Sequence, residues 1–185
     1  MSINLVKGQK ISIGKTNIRV CLGWDASHNG EEMDLDVSAF LLDSRNGLAK
    51  HDENNFVFYN NLESPCGGVK HSGDNRTGEG DGDDEIIFVD TNKMSPDITD
   101  IIFVVSIYEV GTKKLNFGQV KNSYIRIVDN ENDEEILRFD LEEEFSVERS
   151  LEIGRLYNKS GEWKFDALGV SYHTDLDFLV NKYNI

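Results

Sequence analysis

Along most of this chain apolar residues recur at every second position or in short runs, and rarely at helical spacing. Ile11 and Ile13, then Ile18, Val20 and Leu22, predict two early strands on either side of Gly14-Lys15. Leu35 to Leu42 begins as an alternation and ends as an unbroken apolar run. Phe56 to Tyr59, Glu85 to Val89 and Ile101 to Tyr108 are β-branched or aromatic stretches bounded by Asn, Gly, Asp or Pro, the punctuation of strands. Tyr124 to Val128 and Ile136 to Phe139 flank Asp129-Asn130-Glu131-Asn132-Asp133, and Arg149 to Tyr157 and Trp163 to Val170 flank Asn158-Lys159-Ser160-Gly161. Each pair predicts a hairpin. Only the tail changes period: Thr174 is placed to cap a helix through Tyr183, with Leu176, Leu179, Val180 and Tyr183 on one face. About ten strands and one terminal helix cannot bury their apolar faces in a single layer. The expected fold is therefore all-β, a two-sheet β-sandwich with a short C-terminal helix.

Composition narrows this picture. At ~150 residues per domain, 185 residues predict a single domain over 1–185. Sixteen glycines against two prolines suit short elements joined by turns, and 38% apolar residues suffice for a core. No period of 20 to 50 residues marks a solenoid or propeller. Nineteen basic residues against 34 acidic ones give a net charge of −15, which repels a phosphate backbone or an anionic leaflet. Nucleic-acid binding and membrane insertion are both disfavoured. The first ten residues lack the apolar run of a secretory signal, and the longest apolar stretch, Ile101 to Val105, is far short of the ~20 residues a span needs. Cys21 and Cys66 have no paired spacing and read as free thiols of a reducing compartment, so a cytoplasmic protein is expected. The acidic stretch from Asp129 to Glu144 is interrupted by Ile136, Leu137, Phe139 and Leu141 and reads as a solvated hairpin face.

The segment that carries chemistry is Gly73-Asp74-Asn75-Arg76-Thr77-Gly78-Glu79-Gly80-Asp81-Gly82-Asp83-Asp84-Glu85, with six carboxylates, four glycines and one arginine. Like charges so close cost roughly a few kcal/mol per contact at an effective dielectric of ~20. Glycines let the backbone curl so that carbonyl oxygens can join the acids, an arrangement suited to Ca²⁺ with its six to eight oxygen ligands. A plain turn needs only one or two glycines. The loop is not an EF-hand, because Arg76, Gly78 and Glu79 occupy positions three, five and six, and a strand follows instead of a helix.

Asp34-Leu35-Asp36-Val37-Ser38 alternates, so on a strand Asp34, Asp36 and Ser38 share one face while Leu35 and Val37 turn to the core. Asp25, after Trp24, ends an earlier strand and is placed to join them. The candidate metal ligands are Asp25, Asp34, Asp36, Asp74, Asn75, Asp83, Asp84 and Glu85, with Gly78 and Gly80 offering backbone oxygens. The seven carboxylates in that set total −7; one Ca²⁺ would leave about −5 and two about −3, which favours a two-Ca²⁺ site.

At these residues the sequence resembles the TerD family of tellurite-resistance and bacterial stress proteins over nearly its whole length. The matching pieces are Ile3-Asn4-Leu5-Val6-Lys7-Gly8-Gln9-Lys10, Gly23-Trp24-Asp25, Asp34-Leu35-Asp36 and Phe56-Val57-Phe58-Tyr59-Asn60-Asn61-Leu62. They continue through His71-Ser72-Gly73-Asp74-Asn75-Arg76-Thr77-Gly78, Gly80-Asp81-Gly82-Asp83-Asp84-Glu85 and Asn116-Phe117-Gly118-Gln119-Val120. The resemblance implies a Ca²⁺-binding sandwich of two sheets in a cytoplasmic resistance system, partnered with other stress proteins in larger assemblies near the membrane. It implies no catalytic activity. Departures at Pro65-Cys66-Gly67-Gly68 and Glu109-Val110-Gly111 leave the metal site intact.

The alternative is a metal-dependent enzyme, such as a phosphoesterase using paired cations about 4 Å apart. No Gly-x-Ser-x-Gly elbow or His-Glu-x-x-His helix is present, and His28, His51, His71 and His173 are scattered beside turn residues. A binding or scaffold module stabilised by Ca²⁺ fits the sequence better.

Overall fold

A computed structural model of the protein describes residues 3–4, 10–25, 33–80, 82–108, 115–141 and 145–184. Residues 5–9 of the opening motif, His28, Asp81 and the 109–111 connection lie outside them.

Two six-stranded sheets face each other. The first runs β1 (Ile3–Asn4), β10 (Glu135–Asp140), β9 (Tyr124–Asp129), β3 (Asn17–Gly23), β7 (Glu85–Asp90), β6 (Val69–His71). The second runs β2 (Lys10–Ser12), β12 (Glu162–Tyr172), β11 (Ser150–Lys159), β8 (Asp100–Tyr108), β4 (Asp34–Leu42), β5 (Phe56–Val57). The sandwich and both predicted hairpins are present, β9 pairing antiparallel with β10 and β11 with β12. Both hairpins also carry a register irregularity, which lets long strands twist around the core.

The two early strands are present in opposite sheets, β2 pairing with β12 and β3 with β7 and β9. Alternation marks which residues face inward and is silent on which strand lies alongside. The run Phe56 to Tyr59 leaves the sheet after Val57, because Phe58 bridges Asn61 across a tight turn. Two short strands, β1 and β6, escaped notice; β1 pairs parallel with β10.

Strand β4 shows how the layers divide. Leu35, Val37, Ala39 and Leu41 point into the core between the sheets. Phe40 and Leu42, on the other face, enter a second apolar cluster with Leu179 and Tyr183 of the C-terminal helix (Leu176–Tyr183). Covering both faces explains why an alternating start becomes a continuous apolar run. Full burial of each such side chain contributes roughly 1.5–3 kcal/mol. The helix has the predicted inward face, but Asp175 stands at its N-cap, while the Thr174 carbonyl accepts a hydrogen bond from Ser150 Oγ at 2.8 Å. Its far end is tied down by Glu152, whose Oε1 accepts from Lys182 Nζ at 2.5 Å and from Tyr183 Oη at 2.6 Å. No helix among the described residues is long and apolar enough to cross a membrane.

Candidate functional site

The site forms where β4 begins. Asp34 and Asp36 lie on the strand face opposite Leu35 and Val37, paired across β8 with Tyr108 and Ser106. Strand β5 pairs with β4 only at Ala39 and Phe40, so the backbone of Val37 on that side needs other partners. The first sheet supplies them. Glu85 Oε2 accepts from Val37 N at 2.9 Å, and His71 Nε2 lies 3.1 Å from Val37 O. Gly73 N donates to His71 Nδ1 at 3.0 Å, which leaves the ring proton on Nε2 for that carbonyl. Both Glu85 and His71 are buried, and they join the acidic loop to the start of β4.

Asn75 organises the loop itself. Its backbone N–H donates to Glu85 Oε1 at 3.2 Å and its side-chain Nδ2 donates to Asp84 Oδ1 at 3.0 Å. Its Oδ1 accepts from the backbone of both Thr77 and Gly78 at 3.2 Å. Trp24 N donates to the other Asp84 oxygen at 2.9 Å. Gly78 has φ +62°, and a Cβ there would lie 2.4 Å from Trp24 Nε1, so only glycine lets the loop close over the indole.

These ties bring Asp74 to Asp34 and Asp36. One carboxylate oxygen of each lies within 4.8 Å of the others. They form one wall of a cavity of about 260 Å³ whose remaining lining is Tyr59, Asn60, Arg76 and Tyr108. Asp36 is 3% exposed, and among the described residues no donor reaches its carboxylate. Burial, followed by the charges of Glu85, Asp34 and Asp74, pushes its pKa up to about 8. The Arg76 guanidinium approaches Asp34 Oδ2 only to 3.8 Å and is largely exposed. An all-oxygen set of clustered carboxylates that includes a buried, uncompensated one fits a hard divalent cation and suits neither a thiolate- nor an imidazole-seeking metal.

The structure sorts the ligands expected from sequence. Asp34, Asp36 and Asp74 come together as one set. Asp84 and Asn75 lie in the adjoining loop, where burial and the charges of Asp83 and Glu85 raise Asp84 above its ordinary range despite the Trp24 and Asn75 hydrogen bonds. Glu85 is spent on Val37 and Asn75. Gly78 is explained by Trp24, and a Cβ on Gly80 would come within 4.0 Å of Asp84 Oδ1.

Two acids part from the set. Asp25 is exposed and accepts from Asn122 Nδ2 at 2.5 Å. Asp83 is held bidentate by Arg126, at 2.8 Å to each oxygen, with Tyr124 Oη at 3.0 Å. Burial opposes its ionisation, yet Arg126, Cys21 and Tyr124 together hold Asp83 below the usual carboxylate range. Counting seven carboxylates at one place is therefore too many. Sequence reasoning also missed Tyr59, Asn60 and Tyr108; the aromatic run and the end of β8 signalled strands, and nothing in their spacing marked a shared cavity. Cys21 is buried beside Asp83, and burial first, then that charge, pushes its thiol up to about 12.

The fold is a two-sheet β-sandwich, and its site is an acidic cavity at the start of β4. The TerD domain profile matches residues 1–183, and the chain belongs to the TerD family. It is 46% identical over 192 residues to the uncharacterised protein YceE of Bacillus subtilis, covering 100% of this chain and 99% of that one. It is 45% identical over 191 residues to the tellurium resistance protein TerD of Serratia marcescens, covering 100% and 98%. General stress protein 16U of Bacillus subtilis is 44% identical over 192 residues, with coverage of 100% and 98%. Among solved structures, a homologue of telluride resistance protein (TerD) from Streptomyces coelicolor superposes with a TM-score of 0.77 at 23% identity, over 93% of this chain and 99% of that one. That similarity supports the fold.

Proposed function

We propose that this protein is a calcium-binding module of cellular resistance to tellurite and other stresses, acting in the cytoplasm with other stress proteins as partners. The observation that carries the calcium reading is Asp36, a carboxylate 3% exposed that no described donor reaches, set beside Asp34 and Asp74. Removing such a group from water costs several kcal/mol unless a cation or a proton compensates it. The names of the relatives support the resistance and stress role.

The first ion is assigned to Asp34, Asp36 and Asp74, and a second to Asp84 with oxygens of the glycine loop. Bound calcium supplies positive charge that neutralises the clustered acids and cross-links β4 to the loop. A loop with glycines at φ +148° (Gly80) and +100° (Gly82) suits the flexible shell of Ca²⁺ better than the strict octahedron of Mg²⁺. A binding role is favoured over phosphoesterase chemistry because His71, the histidine adjoining the loop, is engaged through both ring nitrogens and offers no base to the cavity.

Calorimetric titration of metal-stripped protein tests this reading. Two equivalents of Ca²⁺ are expected, with Asp36→Asn and Asp84→Asn each removing one and Glu131→Gln, on an exposed hairpin, removing none. Equal losses from all three variants would show that bulk charge, and not coordination, draws the ion.

A further inference from the structure

The cavity over the acids is larger than a cation needs. At ~30 Å³ per water, about 260 Å³ holds roughly eight waters. Its lining also has two chemistries. Beside Asp34, Asp36 and Asp74 it is lined by Tyr59, Asn60, Arg76 and Tyr108, every one of which carries a hydrogen-bond donor. The Tyr59 and Tyr108 hydroxyls and the Asn60 amide donate to no described protein acceptor. Tyr59 lies close enough to the acids that, after burial, the charge of Asp36 helps raise its pKa, so its hydroxyl stays protonated and able to donate. The Tyr59 and Tyr108 rings meet edge to face with centroids 6.0 Å apart, which fixes the rim.

Donors and acidic acceptors lining one cavity do not suit a single ligand of one charge, and the conflict resolves if two ligands bind in order. Asp34, Asp36 and Asp74 carry up to −3 and would repel an anion; with one Ca²⁺ and Arg76 alongside, the formal sum is about zero. Three carboxylates binding through one oxygen each would fill half or less of the six to eight positions of Ca²⁺, which would leave room for further oxygen ligands.

We propose that Arg76, Tyr59, Asn60 and Tyr108 form a recognition site for a small oxyanion, of the phosphate or tellurite type, that binds only when the adjoining acids hold calcium. This rests on the calcium reading above and extends it from the ion to a ligand. Arg76 supplies the guanidinium fork that matches oxyanion geometry, and the two hydroxyls and the amide set its orientation. The chain's charge of −15 repels an extended anionic leaflet more strongly than one small ion, so a free ion is taken as the source.

The test titrates full-length protein with inorganic phosphate, below the solubility limit of calcium phosphate, in saturating calcium and in chelator. Sodium tellurite is the second probe. Binding of either probe in calcium and of neither in chelator is the expected result. Arg76→Gln should weaken that binding about tenfold or more while calcium affinity, measured on the same preparation, is retained or increased. Tyr59→Phe should weaken it less. Phosphatidylserine vesicles sedimented with the protein in calcium separate the sources: no sedimentation assigns a free oxyanion, and sedimentation that phosphate blocks assigns a headgroup at the same site. The proposal is overturned, with the calcium reading intact, if calcium binds but neither oxyanion does, or if Arg76→Gln leaves oxyanion affinity unchanged. Failure of calcium itself to bind overturns both.

Discussion

Asp36 and Asp83 are both secluded carboxylates, and the protein treats them in opposite ways. Asp83, with its side chain 10% exposed, receives two hydrogen bonds from Arg126 and one from Tyr124, and its pKa is lowered. Asp36 receives none from the described residues, faces three other acids and has its pKa pushed up to about 8. One carboxylate is compensated by an internal partner and the other is not. Repulsion that folding could have relieved with one more arginine is kept at a single corner, as binding sites commonly keep perturbed groups.

The contrast predicts different responses to calcium, and the largest concerns the ion itself. A ligand at a thousandfold excess over Kd adds about 4 kcal/mol to stability, or roughly 8–16 °C in Tm for a domain of this size. Melting curves in calcium and in chelator should differ by that order. A coincident pair, after metal removal is verified, would place the acids outside any ion site.

Next comes the internal pair. Arg126→Met leaves Asp83 buried without its partner and should cost about 2–3 kcal/mol, intermediate between surface and fully buried pairs because Arg126 is 28% exposed. The loss should be the same with and without calcium. Above about pH 8, where Asp36 is ionised, Asp36→Asn should act in the opposite sense, raising the Tm of the calcium-free protein and abolishing much of its calcium dependence. A calcium-free Asp36→Asn variant that melts lower than the parent at that pH would contradict the reading of Asp36 as an unrelieved charge.

Gly78→Ala sharpens the comparison by disturbing the loop without changing any charge. The left-handed backbone alone costs about 1–2 kcal/mol for an L side chain. The added Cβ must also displace the Trp24 ring, so the tryptophan emission of the calcium-free protein should shift. Unchanged emission would detach Trp24 from the loop.

The dependence on pH follows from the same carboxyl. Asp36 holds its proton to about pH 8 in the native state, against 3.8 for an unperturbed carboxyl. The native state therefore binds more protons between those values, and stability falls as pH rises through them. The contribution is complete below pH ~4 and lost above ~8. Calcium-free protein should melt lower at pH 8 than at pH 5, by an amount of the same order as the calcium effect, and Asp36→Asn should flatten the trend.

Much of this was legible in the sequence, for reasons that also mark the limit. Hairpins were readable because turn residues and alternation are local, as at Asn158 to Gly161. The face shared by Asp34 and Asp36 followed from strand parity alone. The partner of Asp83 did not, because Arg126 is 43 residues away and reaches Asp83 from β9 across β3. Two adjacent acids, Asp83 and Asp84, look equivalent in the chain, yet successive side chains turn opposite ways and meet different environments. Arg76 was visible only as one basic residue among six acids, and its place on the cavity rim depends on how the loop folds back over β4.

Proton release on calcium binding tests the central claim most directly. Calorimetry of metal-free protein near pH 6.5, in two buffers of different ionisation enthalpy, should show about one proton released per protein as calcium displaces it from Asp36, falling toward none near pH 9.5 and absent in Asp36→Asn. Calcium binding with no proton release at pH 6.5, or with the same release in Asp36→Asn, would show that the ion goes elsewhere.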